Sequence, residues 1–422
     1  MTIVGKGFRG TAILLAVGLS VTLAGVGLSG AAASISAEVE THPRGAAGGP
    51  SATLVDAVRR TVAAGVPGAV VRVDRGRGGV TELASQAEWT KVDHRLKPGD
   101  QLRVGSNTKT MVAVLVLQLV GEHRLALDQP VEKWLPGMIP NGGRISLRML
   151  LNHTSGLANN TDDEQVLRSV FGLEKRSWTA AELLAAGTSQ PPVAAPGEKW
   201  FYSNTNYVAL GLVLERVTGR DLSSLLNERI IQPLHLNRTY LASSAVPRKR
   251  DTLAPGYEPD AAHLGAVIPG LPPGFHFVGN EHDGHVDVST IDPSWAGAAG
   301  GIVSTTRDWS RFLTALMSGR LLPPAQLRQM LTMIPADPER PTAGSYGLGL
   351  AKIPTPCGPV YGHTGGIPGY RSDIFTDRTG TRSAAVIVTE QQGLGVPAHA
   401  AAHHALVEQA ACAMYGRPVP TR

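Results

Sequence analysis

The sequence predicts an α+β protein: an antiparallel β-sheet flanked by helices, built from both chain ends, with an inserted mostly helical domain. Two observations predict it. β-Branched runs of strand length lie near residue 70 and again beyond residue 345, whereas apolar runs of helical spacing fill the middle. The chain has 422 residues, 42% of them hydrophobic and 17% charged, enough to bury a sizeable core and to exclude a wholly disordered protein. Its 49 Gly and 30 Pro carry no Gly-X-Y period, which excludes a collagen-like chain. The economical division is a sheet domain from 53–125 and 300–415 with the helical domain, 126–299, inserted between them.

Residues 1–33 read as a secretory signal peptide. Lys6 and Arg9 precede an apolar run, Thr11 to Leu28, and Ala31-Ala32-Ala33 offers small residues for cleavage. The alternative is an uncleaved anchor, since the run is about as long as the shortest spanning helices. Residues 34–52 form an Ala/Gly/Pro-rich linker. The net charge of +5 falls to about +3 (5 − 2) without Lys6 and Arg9, too mild to imply nucleic acid. The expectation is a secreted, extracytoplasmic monomer with no stable membrane span after cleavage. Two cysteines cannot build a cysteine-dense scaffold or an all-cysteine zinc site, and export lets Cys357 and Cys412 pair.

The elements follow in order. Thr53 to Ala64 has Leu54, Val58 and Val62 on one stripe and is a helix; Gly68 to Val73 is a strand. Asn107 to Leu125 is a long apolar helix, and Met111 to Val120 within it is too short to span a membrane. Tyr207 to Val217 and Leu222 to Leu234 are helices. Residues 250 to 295, rich in Pro, Gly and His, read as an irregular surface excursion. Thr306 to Leu316 is a helix. Strands are expected at Gly347–Leu350, Val360–Gly362, Ser372–Thr376 and Ser383–Thr389, and a closing helix at Ala400 to Met414.

Three short motifs carry chemistry. Ser106-Asn107-Thr108-Lys109 opens the long apolar helix, so the Lys109 amine lies one turn from the Ser106 hydroxyl. A hydroxyl needs a neighbour to take its proton, and burial lowers a lysine's pKa enough for that. A capping serine before a solvated lysine is the bland alternative. Tyr202-Ser203-Asn204 follows Pro196-Gly197; a phenol can act as acid or base, and Asn204 can hold an amine or a substrate amide, or simply cap a helix. His363-Thr364-Gly365-Gly366 lies in a strand-like stretch whose glycines admit close approach of a ligand. The N–H groups of Gly366 and Ser106 could together receive an oxyanion, and His363 could assist proton transfer or hold substrate.

The order S-x-x-K, Y-x-N, H-T-G resembles the serine β-lactamase and penicillin-binding superfamily, with Tyr and His in place of the Ser and Lys of its later motifs. Leu125-Ala126-Leu127-Asp128, His153-Thr154-Ser155-Gly156-Leu157 and Gly300-Gly301 strengthen the resemblance, which is closest to secreted D-alanyl-D-alanine carboxypeptidases of class C β-lactamase type. The resemblance implies an acyl-enzyme at Ser106, Lys109 as proton partner and Tyr202 as general acid or base. It also implies Asn204 positioning lysine and substrate, His363 in the usual lysine's place, Thr364 and Gly365 beside the ligand, and Gly366 in the oxyanion hole. A disulfide near the last motif agrees with Cys357 and Cys412. Substrates are then a small peptide, ester or β-lactam, with no cofactor and no metal.

One departure bears on specificity. Such carboxypeptidases carry an arginine after the Tyr-Gly-Leu-Gly-Leu strand to meet a terminal carboxylate; here Ala351 stands there, with Lys352 next and Arg371 the remaining candidate. An esterase or D-amino-acid amidase is the alternative, ahead of a β-lactamase or a slowly deacylating sensor. A metal hydrolase would need His276, His282 and His285 with Glu281 and Asp283, or His399 and His403; no H-e-x-x-H pattern is present.

Overall fold

A computed structural model describes residues 38–41, 51–242, 253–336 and 344–420. The expected leader and most of the linker lie outside the described residues. Among the described residues no helix is long and apolar enough to cross a membrane.

The frame is a nine-stranded antiparallel sheet. From edge to edge its strands are Glu40–Thr41, Val80–Gln86, Gly68–Asp74, Ser383–Val388, Tyr370–Thr376, Val360–Ile367, Ala351–Ile353, Ser345–Tyr346 and Ile334–Pro335. Strands from both chain ends meet where Gly68–Asp74 pairs with Ser383–Val388. These central strands are buried on both faces, which is why they read as unbroken apolar runs.

Alternate residues of the sheet supply two cores. Val71, Val73, Leu83, Val386 and Val388 pack with the helices Ala52–Ala63 and Pro397–Met414 on one face. Val70, Ile374, Ala385 and Ile387 join the other face to the larger core around the helix Thr108–Gly121. That helix is apolar on nearly every side and buried almost throughout, as an all-round apolar helix must be. It packs against the helix Asn204–Thr218.

The structure corrects several expectations. Residues 250–295 are not irregular throughout: Tyr257–Pro259, His285–Asp287 and Asn280–His282 form a small antiparallel sheet, and Ala261–Val267 is a helix. The expected strand Gly347–Leu350 is a break between Ser345–Tyr346 and Ala351–Ile353, because Gly349 turns with φ +76°. The helix expected over Leu222–Leu234 ends at Leu226 and continues as one π-turn, Asn227–Ile231. The long helix ends at Gly121, short of Leu125. The strand Val80–Gln86 was not expected, and the strand expected at Val360–Gly362 runs on to Ile367.

Candidate active site

Ser106 sits in a 3₁₀ turn, Gly105–Asn107, that leads directly into the helix Thr108–Gly121. Gly105 takes φ +51°, and a β-carbon there would lie 2.9 Å from the Gly366 nitrogen. Both facts require glycine before the serine. Gly365 is as tightly placed: a β-carbon would lie 2.0 Å from the Val104 carbonyl and 3.0 Å from the Ser106 nitrogen. The serine turn therefore packs backbone to backbone on the strand Val360–Ile367.

Lys109 is completely buried, and desolvation pushes its amine well below the ordinary lysine range. Its Nζ lies 2.7 Å from Asn204 Oδ1, 2.7 Å from the Ala299 carbonyl and 3.1 Å from Ser106 Oγ. In its neutral form the amine has two N–H bonds and one lone pair. The amide and carbonyl oxygens can only accept, so they take both N–H bonds, and the lone pair is left for the serine hydroxyl.

Asn204 opens the helix Asn204–Thr218, but Ser203 holds the N-cap position and the Asn204 side chain goes to Lys109. The Asn204 main-chain N–H donates to Asn159 Oδ1 at 2.9 Å. Tyr202 lies under the lysine, with Nζ 4.8 Å from the ring centre. Burial raises the phenol well above its ordinary pKa, and interaction with Ser106 lowers it in part, so it stays protonated.

His363 is buried, and burial and the nearby Lys109 lower its pKa to about 3. Its Nδ1 faces the Thr364 carbonyl, so Nδ1 carries the hydrogen; Nε2 then accepts from the Tyr346 hydroxyl at 2.8 Å. Both nitrogens are thus engaged within the protein. Register pairs His363 with Ile374 and Gly365 with Ser372, on the face turned to the Ser106 helix, whereas Thr364 and Gly366 pair with Asp373 and Arg371 on the alternate set. The turn Pro368-Gly369 makes Ile367 and Tyr370 a hydrogen-bonded pair. Alternation of the antiparallel ladder then directs the Gly366 N–H off the ladder, toward the serine turn. The main-chain nitrogens of Ser106 and Gly366 both lie at the contact between the serine turn and this strand.

The structure brings Ser106, Lys109, Tyr202, Asn204, His363 and the 364–366 strand together. Among the described residues the Arg371 side chain makes no direct contact with them, although its charge acts on Tyr202 and His363. Arg371 pairs with Asp373 at 3.2 Å, and Asp373 also meets His403 of the closing helix at 3.0 Å, on the opposite face. Ala351 is buried and Lys352 is exposed. Sequence reasoning missed the Ala299 carbonyl, Asn159 and Tyr346. Each stands beside a recognised stretch, Ala299 before Gly300-Gly301, Asn159 after His153–Leu157 and Tyr346 in Tyr-Gly-Leu-Gly-Leu, but none is itself singled out as functional.

Cys357 and Cys412 are joined by a disulfide linking the strand side to the closing helix. Among the described residues no group of His, Cys, Asp and Glu could hold a metal. His399 meets Glu390 and His403 meets Asp373, while His285 stacks on Trp89 and His282 meets Asp93.

Comparison with known proteins finds hydrolases that share this fold. A D-stereospecific amidohydrolase from Streptomyces sp. superposes with TM-score 0.68 at 39% identity, covering 80% of this chain and 94% of that one. A D-amino acid amidase from Ochrobactrum anthropi SV3 superposes with TM-score 0.72 at 26% identity, covering 85% and 98%. Among curated relatives, esterase EstB of Burkholderia gladioli is 38% identical over 144 residues, 31% of this chain and 36% of its own length. Penicillin-binding protein 4* of Bacillus subtilis is 26% identical over 287 residues, 65% of this chain and 57% of its own. The matches to these two thus span less than two thirds of their lengths. The Beta-lactamase family model matches residues 53–409, most of the chain. The chain belongs to the β-lactamase family of serine hydrolases.

Proposed function

We propose that this chain hydrolyses amides and esters of D-configured acyl groups with uncharged leaving groups, through an acyl-enzyme at Ser106. The observation that carries the chemistry is the lysine's coordination: two acceptors at 2.7 Å leave the Nζ lone pair for Ser106 Oγ at 3.1 Å. Lys109 takes the hydroxyl proton as Oγ attacks the carbonyl carbon. The oxyanion is received by the N–H groups of Ser106 and Gly366. The lysine's new proton passes through the protonated Tyr202 hydroxyl to the leaving nitrogen or oxygen as the C–N or C–O bond breaks. Water then attacks the ester carbonyl as Lys109 takes its proton; the C–Oγ bond breaks, Lys109 returns that proton to Ser106 Oγ, and the acid is released. His363, neutral and doubly bonded, orients the strand rather than exchanging protons.

The substrate class rests on charge. Among the described residues, Arg371 is held by Asp373 and reaches Tyr202 and His363 only through its charge, and Ala351 stands where a carboxylate-binding arginine would be. A peptide's terminal carboxylate would therefore have to compete with Asp373 for its arginine, at a cost that burial makes large. This favours an amide or ester over the carboxypeptidase reaction on D-alanyl-D-alanine. The D preference is carried by similarity to the D-stereospecific amidohydrolase. The leader of residues 1–33 and the Cys357–Cys412 disulfide support action outside the cytoplasm.

The test is hydrolysis of D- and L-phenylalanine p-nitroanilide and of a diacyl D-alanyl-D-alanine peptide by wild type and Ser106→Ala. Selective cleavage of the D-anilide, lost in Ser106→Ala, is expected. Faster release of D-alanine from the peptide would restore the carboxypeptidase reading. Activity retained in Ser106→Ala would refute both.

A further inference from the structure

His153 is fully buried and takes φ +63°, a left-handed conformation that a histidine adopts at some cost. It holds the chain on both sides of Tyr202. Its carbonyl accepts from the Phe201 N–H at 2.8 Å, and its Nδ1 accepts from the Ser203 N–H at 3.3 Å. A backbone N–H can only donate, so Nδ1 is the lone-pair nitrogen and Nε2 carries the hydrogen. Asn206 enforces the same tautomer. Its Oδ1 receives the Ser155 hydroxyl, which turns its Nδ2 to His153 Nδ1 at 3.0 Å. The imidazole ring then packs with its centre 4.3 Å from that of the Tyr202 ring, tilted by 32°, the nearest of its aromatic neighbours. Burial pushes this imidazole well below its ordinary pKa.

We infer that His153 is a positioning residue for Tyr202: it clamps the backbone before and after the tyrosine and sets the plane and height of the phenol beneath Ser106 and Lys109. This rests on the reading that Tyr202 serves the reaction at Ser106. A left-handed turn brings the His153 carbonyl and ring nitrogen to the same segment, residues 201–203, so the strain at this residue is the means by which one residue reaches both contacts. Nothing in the arrangement requires His153 to touch substrate.

The test is a double-mutant cycle on D-phenylalanine p-nitroanilide with His153→Asn and Tyr202→Phe. Asparagine tolerates the left-handed conformation and keeps an acceptor near Nδ1 but loses the packed ring. In the wild-type background His153→Asn should lower kcat by about tenfold or more, with KM within about threefold, because proton transfer and not binding is disturbed. In the Tyr202→Phe background the same change should cost less than about twofold, since the group it positions is gone. Wild-type kcat in folded His153→Asn, or an equal loss in both backgrounds, would overturn the inference while leaving the acyl-enzyme reading intact. Wild-type kcat in Tyr202→Phe alone would remove the role of the phenol and the inference with it, and that outcome is visible without the histidine variant. Should His153→Asn not fold, Asn206→Asp serves in the same cycle with the same deciding outcomes. Its carboxylate still receives Ser155 but faces Nδ1, so it drives the hydrogen onto Nδ1 and strips the Ser203 N–H of its acceptor.

Discussion

Lys109→Met tests the state of the lysine without any substrate. The side chain is wholly buried, and desolvation holds its pKa well below the unfolded value of about 10.5. Between those two values the unfolded chain binds one more proton than the folded one. Stability therefore rises with pH across that window, and the lysine costs most stability on its acid side. One proton corresponds to about 1.4 kcal/mol per pH unit within that window. Methionine has similar length and no charge. It leaves the Asn204 and Ala299 oxygens without their donor, a cost that does not vary with pH. Urea unfolding of both proteins at pH 7, 8 and 9, with the disulfide intact, gives the difference in stability. That difference should change in the wild type's favour by about 1.4 kcal/mol per pH unit as pH rises. A difference independent of pH would show that the buried amine is an ammonium in the folded protein, and Lys109 could not then accept the serine proton.

Asn204→Asp places a carboxylate 2.7 Å from Nζ, which favours the ammonium; the acid limb of kcat/KM should move to higher pH, and an unmoved limb would contradict the lysine's assignment. Gly105→Ala meets both a left-handed backbone and the Gly366 main chain, so it should lose at least about 1–2 kcal/mol of stability, read by urea unfolding, together with most activity. Reduction of Cys357–Cys412, 55 residues apart, should lower stability by about 4 kcal/mol in the chain-entropy model, read as a lower unfolding midpoint in reductant. Because His363 has a pKa near 3, its protonation should leave no limb near pH 6.5 in the rate profile; such a limb, abolished in His363→Phe, would give the imidazole a proton-transfer role.

Much of this site is legible in the sequence because local chemistry fixes it. An S-x-x-K spacing at the head of an apolar helix forces the amine beside the hydroxyl and dries it in one stroke. The strands at both ends are legible because burial on two faces makes them continuous apolar runs. The partners that give the site its proton states are less so. The Ala299 carbonyl bears no side-chain signature, and His153 acts through a left-handed turn that its motif does not announce. Tyr346 reaches His363 across a broken strand, where glycines that read as sheet instead make a bend. Residues 250–295 were read as irregular because their strands are three residues long, too short for any alternation to show.

The most direct measurement is the intact mass of the protein, with peptide mapping, after reaction with a D-phenylalanine analogue whose scissile carbonyl is replaced by a diaryl phosphonate. Such a reagent traps only a serine whose proton is being removed. A single adduct on Ser106, absent in Ser106→Ala and strongly slowed in Lys109→Met, is the expected result. An adduct on another residue, or none while the D-anilide is still hydrolysed, would contradict catalysis through Ser106.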